Sequence, residues 1–287
     1  MIITMIASQT SGQNDAPLSF PILLNHFYVV LDSATYVAIE RDAFLQREFA
    51  VSEQRTTVRT DRTYTGLYFY GINTYFEFFD VAKGSGYRVG DSGIAFAVEQ
   101  PGAINSLENL LGADPPTLVT RQSGKIQVPW FFMLKSLNRP LESGMSTWIM
   151  EYHPRFLAEW HPEAKGSETG ISRRQILQRY ALILRAQSVP TYLQDVTEIT
   201  LAAEKEVTTR LAEQCKLFGY HSHTDGDAAI LEGLDIVLRL VPETSSRHGI
   251  QQITLRVSSV PQEQRVFQFG PKSVLRFHDN GTATWVF

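Results

Sequence analysis

Four segments of the chain share one order of elements, and that recurrence constrains the fold more than any local motif, because a repeated unit must pair or stack with its copies. In the first, residues 24–31 read as an apolar strand, residues 32–45 as a helix with Asp32 or Ser33 as N-cap, and residues 56–60, 64–70 and 74–80 as strands, the last two an aromatic hairpin. The second runs through a strand at 93–98, a helix at 103–111 and strands at 126–134 and 147–152. The third opens at 196–203, continues as a helix over 204–218 and ends in strand residues 229–241. The fourth opens at 249–257, lacks its helix, and closes through 273–279, an Asn280-Gly281 turn and 282–287. Glu198-Ile199-Thr200-Leu201 and Gln252-Ile253-Thr254-Leu255 occupy matching opening strands. The expected class is therefore α+β, built from four tandem βαβββ modules. A linker around 166–170 and an amphipathic helix at 172–186, closed off before Pro190, separate the halves. The expected division is 15–165, a connecting stretch 166–190, and 191–287. Arg173, Arg174, Arg179 and Arg185 are read as the solvated face of the connecting helix.

Composition sets the class of partner. Hydrophobic residues make up 43% of the 287, with 17 Phe, 11 Tyr and 4 Trp, which excludes a disordered chain. Lys and Arg (26) against Asp and Glu (30) give a net charge of -4, so neither nucleic acid nor an anionic membrane is drawn to the chain as a whole. A small molecule is the expected partner, with a homodimer as the assembly to look for. No stretch reaches the roughly 20 apolar residues of a membrane span, and residues 1–7 lack the basic and apolar regions of a secretion signal. A cytoplasmic protein is expected. Cys215, the single cysteine, sits in a helical pattern and reads as packing.

A chain of βαβββ modules with His26 on an opening strand and Glu77 inside an aromatic closing strand resembles the glyoxalase, bleomycin-resistance and ring-cleaving dioxygenase superfamily, the vicinal oxygen chelate proteins. The likeness is strongest over 24–80. It implies that modules pair into open barrels and that first and last strands hold a divalent metal ion inside. Carried over position by position, the ligands fall on His26 and Glu77 in the first module and on Gly93 and Glu151 in the second. His153, two residues on from Glu151, could supply a missing imidazole. The third and fourth modules place Glu198, Arg239, Gln252 and roughly Thr284 at these positions, a degenerate set. Iron, manganese, zinc and nickel are not distinguished by one His with two Glu. The resemblance implies a metal-dependent enzyme of isomerase, lyase or dioxygenase type acting on an oxygen-bearing organic substrate, Glu77 being the catalytic group; a non-catalytic binding protein of the same fold is the alternative.

The residues carry part of this independently. Alternation places Tyr75, Glu77 and Phe79 on one face of a strand with aromatics on the other, so Glu77 needs a compensating partner, whether an ion or Arg59 or Arg62. His26 reads equally as a hydrogen-bonded core histidine. Tyr68, Tyr70 and Trp130 are expected to line a substrate cavity. His221, His223 and Asp225 have the spacing of some binuclear metallohydrolases, but Gly226 stands where a further His belongs, and a polar loop is the simpler reading.

Overall fold

The computed structural model describes residues 18–84, 86–135, 144–164, 170–184 and 191–287. The first unit is β1 (Leu23–Leu31), α1 (Ser33–Arg41), β2 (Val51–Val58), β3 (Thr63–Tyr70) and β4 (Tyr75–Asp80). Asp32 starts the helix, its Oδ1 accepting from the Thr35 N–H at 3.0 Å. The second unit is β5 (Ser92–Ala97), α2 (Ala103–Leu111), β6 (Thr117–Ser123), β7 (Ile126–Lys135) and β8 (Met145–Tyr152). Each helix carries the chain back across the sheet, so the opening and closing strands run parallel: β1 pairs β4, and β5 pairs β8. The antiparallel pair β1–β5 joins the two units into one eight-stranded sheet, ordered β2-β3-β4-β1-β5-β8-β7-β6. A bridge between Arg59 and Arg121 brings its two edges together, which curls this sheet into a nearly closed barrel.

After α3 (Phe156–Glu159) and α4 (Arg173–Ile183) comes the second sheet: β9 (Leu193–Ala203), α5 (Lys205–Leu217), β10 (His221–Asp225), β11 (Ala228–Glu232), β12 (Val237–Pro242), β13 (Gly249–Val257), β14 (Val266–Phe269), β15 (Ser273–His278) and β16 (Thr282–Val286). Its order, β10-β11-β12-β9-β13-β16-β15-β14, repeats the first sheet strand for strand. The α+β class with paired βαβββ modules therefore holds, with one departure. In the fourth unit no helix reverses the chain, and β13 pairs β16 antiparallel where the other three units pair parallel. Position-by-position transfer onto the fourth unit, including Thr284, fails for that reason.

Two apolar clusters result. The larger lies between the sheets and includes Phe27, Phe69, Phe76 and Phe96 from the first and Ile199, Leu238, Ile253 and Trp285 from the second. Trp285 is fully buried, its ring within 5.2–5.8 Å of Phe78, Phe49, Phe69 and Phe76, and its indole N–H donates to Ser273 Oγ at 2.8 Å. The smaller cluster fills the first barrel, where Phe156, Trp160, Ile176 and Tyr180 of α3 and α4 meet Tyr70, Tyr75 and Trp130. Arg173 and Arg179 are buried, not solvated. Arg173 bonds Glu99, Asp235 and the Leu24 carbonyl, and Arg179 donates to the Trp160 and His161 carbonyls; Arg185 lies outside the described residues. Cys215 is buried, and burial pushes its thiol up. No helix among the described residues is long and apolar enough to cross a membrane.

Candidate functional site

Parity along two strands builds the site. His26 and Tyr28 share one face of β1, and Tyr75, Glu77 and Phe79 share the matching face of β4. The parallel register sets His26 beside Tyr75 and Tyr28 beside Glu77. The His26 imidazole stacks on Tyr75 at 4.4 Å and meets Trp148 edge-on at 5.3 Å. Its Nε2 stands 3.7 Å from Glu77 Oε1.

A register shift in β1 adds Asn25 as an extra residue against β5, the kind of bulge that re-aims a side chain. Its Oδ1 accepts from His26 Nδ1 at 2.8 Å and from the Tyr152 hydroxyl at 3.4 Å. With Oδ1 so placed, the imidazole proton is held on Nδ1, and the Nε2 lone pair faces Glu77. Burial, reinforced by Arg59 and Arg62, lowers the His26 pKa to about 3, so the ring is neutral. Burial raises the Glu77 carboxyl to about 7 against the pull of Arg55, Arg62 and Arg59 and of the Tyr68 hydroxyl. Burial thus favours the uncharged form of both groups, an arrangement unlike an ordinary ion pair.

Beside this pair lies a cavity lined by Tyr28, Tyr64, Trp130, Phe131 and Trp148, together with the buried Arg59 and the exposed Arg62. Its enclosed space of about 20 Å³ admits one or two waters, each needing roughly 10–15 Å³ in that measure. Counted out through the mouth, the space is about 430 Å³.

The other expected site residues are placed differently. Glu151 does not converge on His26 and Glu77. Ser146 and Trp148 approach the cavity side at Gly93, so Glu151, of odd parity to them, points to the other face of β8. There it accepts the Gly102 N–H at 2.8 Å and the Ile104 N–H at 3.0 Å, capping α2, whose Gly102 N-cap offers no side-chain acceptor. His153, on that same side, contacts Phe132 and accepts from the Arg155 N–H. Trp130 does line the cavity. Tyr68 and Tyr70 lie deeper: the Arg55 guanidinium covers Tyr68, and Tyr70 donates to Glu53 at 2.6 Å and stacks on Tyr180. His221, His223 and Asp225 form exposed edge strand β10 rather than a loop, with Asp225 paired to Arg239 at 2.9 Å. Arg239 also holds Glu198 at 3.3 Å, so a guanidinium occupies the corresponding place in the second sheet.

A divalent ion does not fit the donors present. Among the described residues no group of three or more His, Cys, Asp and Glu side chains could hold a metal ion. His26 and Glu77 come from one module, while the matching position of the other, Gly93, is closed off: a Cβ there would lie 2.4 Å from Tyr28 Cε1 and 2.9 Å from Trp148 Cζ3. Arg59 and Arg62 stand where they would repel a dication.

Residues 24–287 match the family of unknown function DUF5829. The chain belongs to that family. No curated protein matches this DUF5829 chain in sequence. In three dimensions it is similar to a hypothetical protein from Staphylococcus aureus, at 12% identity and a TM-score of 0.48 over 79% of this chain and 88% of that one. It is also similar to a xylose isomerase-like TIM barrel/4-hydroxyphenylpyruvate dioxygenase fusion protein, at 11% identity and a TM-score of 0.43 over 85% of this chain but only 37% of the fusion. Sequence reasoning missed Tyr28 and Trp148 in the lining of the DUF5829 cavity, and Asn25 as the partner of His26 Nδ1. Two-residue spacing from His26 would have found Tyr28; the bulge that brings in Asn25 leaves no such trace.

Proposed function

We propose that the DUF5829 chain binds a small oxygen-bearing organic molecule in the barrel of its first two units, and that Glu77 exchanges a proton with it. The observation that carries this reading is a buried carboxyl 3.7 Å from a buried imidazole in the lining of an aromatic-walled cavity, where burial raises the carboxyl's pKa and lowers that of the imidazole. A group titrating there is suited to give or take a proton at neutral pH. The Nε2 lone pair of His26 can accept the proton that Glu77 or a ligand hydroxyl presents. Aromatic walls favour a flat molecule, and the narrow floor admits only its oxygen-bearing end.

Trp130 and Trp148 report on the cavity by fluorescence. Titration with pyruvate, benzoate and phenol is expected to give saturable quenching with at least one of them, lost in Glu77→Leu, which removes the polar floor at similar volume. Mn²⁺ is expected to leave the signal unchanged. Saturable Mn²⁺ binding that disappears in both His26→Ala and Glu77→Leu would instead support a metal-dependent enzyme.

A further inference from the structure

Very little backbone closes the first barrel. β2 pairs with β3, and β6 with β7, along almost the whole of each strand. Between the β2 and β6 edges, the one pairing among the described residues is the antiparallel bridge of Arg59 to Arg121. Side chains hold the rest of this seam. The Arg59 guanidinium, from the β2 edge, lies 5.5 Å over the Phe131 ring of β7. Tyr180 of α4 reaches both edges: its ring stacks on Tyr70 of β3 at 4.8 Å and lies 5.2 Å from the Arg55 guanidinium of β2, while its hydroxyl accepts from Arg121 Nη1 on β6. Arg121 is 6% exposed and otherwise rests on the rings of Trp130 and Trp160, at 4.7 and 5.0 Å. For a guanidinium so buried, the phenol oxygen is an acceptor that water does not readily replace.

The seam is also part of the cavity wall, with Arg59 on one side of it and Trp130 and Phe131 on the other. As it stands, the wall encloses about 20 Å³, against the roughly 150 Å³ of a protein cavity that holds benzene. His26 and Glu77 are 7% and 5% exposed. An organic ring is therefore enclosed beside them only when part of the wall moves. Continuous ladders join the other strands, β1 to β4 and β5, β3 to β4, and β8 to β5 and β7. Local opening favours the place with least pairing, which is the seam. We propose that the barrel opens along the seam between β2 and β6 to admit its ligand, and that Tyr180 is the latch that holds it shut. Tyr180 does not line the cavity; it acts through Arg121, which lies against the wall residue Trp130, and is thus a positioning residue. The use of the opening for ligand entry rests on the small-molecule reading above, whereas the opening itself rests on the seam alone.

Acrylamide, a neutral quencher of tryptophan fluorescence, probes the opening in the full chain without needing a binding site. Trp130 and Trp160, 4% and 3% exposed, are the reporters; the partly exposed Trp148 and the enclosed Trp285 give a background common to every form. Tyr180→Phe keeps the ring and removes the hydroxyl. It is expected to raise the quenching constant at least about twofold, well within the roughly tenfold shift that losing one hydrogen bond to a charged group gives an opening equilibrium. A cross-link tests the reverse. Val58 and Gln122 adjoin the bridge on the two antiparallel edges, and both are exposed. Cysteines facing each other there suit a disulfide, which spans Cα atoms roughly 4.4–6.8 Å apart. The double variant Val58→Cys, Gln122→Cys should fall below the wild type in quenching when oxidised and rise again on reduction; Cys215 is buried and takes no part. Wild-type quenching in Tyr180→Phe, equal quenching of the oxidised and reduced forms, or failure of the disulfide to form overturns the proposal. If Tyr180→Phe does not fold, the cross-link comparison decides alone. Any of these failures leaves the small-molecule reading standing, and failure of pyruvate, benzoate and phenol to bind leaves the seam standing.

Discussion

At the scale of single residues, Asn25, His26 and Glu77 form a line in which each group sets the state of the next. Asn25 fixes the imidazole proton on Nδ1, the bare Nε2 faces Glu77, and a protonated carboxyl suits that neighbour better than a carboxylate. The folded pKa of Glu77, about 7, lies above the ordinary 4.5. The folded chain therefore binds this proton more tightly than the unfolded chain, and stability falls as pH rises from about 4.5 through 7. His26, lowered to about 3 from 6.5, acts from the other side, with stability falling as pH drops through that window. Glu77→Gln is accordingly expected to stabilise the chain at pH 8 by an amount on the order of 3 kcal/mol at most, shrinking toward nothing near pH 5. Urea unfolding at the two pH values measures it, and a constant difference would mean that Glu77 is ionised throughout. Glu77 and His26 were legible in the sequence because a polar residue in an aromatic strand stands out. Arg62 was legible only as a counter-charge: a turn residue has no periodicity to say that it overhangs a cavity.

At the scale of elements, one residue of parity separates a cavity group from a structural one. Glu151 was assigned by analogy with Glu77, yet β8 presents Ser146 and Trp148 inward and turns Glu151 to the N-terminus of α2. Glu151→Ala should lower stability by about 1–2 kcal/mol, since it leaves the buried Ile104 N–H and the more exposed Gly102 N–H without their acceptor. Benzoate affinity should be unchanged; a parallel loss of affinity would put Glu151 in the site after all. The strands that sequence reading missed, β6, β10 and β14, are largely exposed edge strands whose polar residues carry little alternation. The connecting helix misled in the opposite sense. Its arginines suggested a wet face, but ion pairs and carbonyls bury Arg173 and Arg179, and such tertiary partners are invisible in a helical wheel.

At the scale of the whole molecule, the two sheets are tied by a small polar joint as well as by their common core. Asp195 on β9 accepts the Asn73 N–H at 2.7 Å and the Thr74 N–H at 3.1 Å from the β3–β4 turn, and Arg256 pairs with it at 2.7 Å. It is 4% exposed. Asp195→Ala is expected to destabilise the chain by roughly 1–3 kcal/mol, since it leaves the buried Thr74 N–H without this acceptor while the half-exposed Arg256 guanidinium turns to water, with Asp195→Asn milder. Equilibrium unfolding checks it, and a loss below 1 kcal/mol would show the joint to be incidental. The repeat itself was readable from strand order, but the direction of the fourth unit was not, because the consequence of a missing helix is geometric. That absence also bears on the order of folding. Parallel pairs such as β1–β4 form only after a long crossover has closed, whereas β14, β15 and β16 meet across short hairpins, with lower loop-closure entropy. The last three strands thus pair across hairpins as short as the β3–β4 and β6–β7 turns of the barrel units, with no crossover to wait for, and they set Trp285 against the aromatic face of the first sheet.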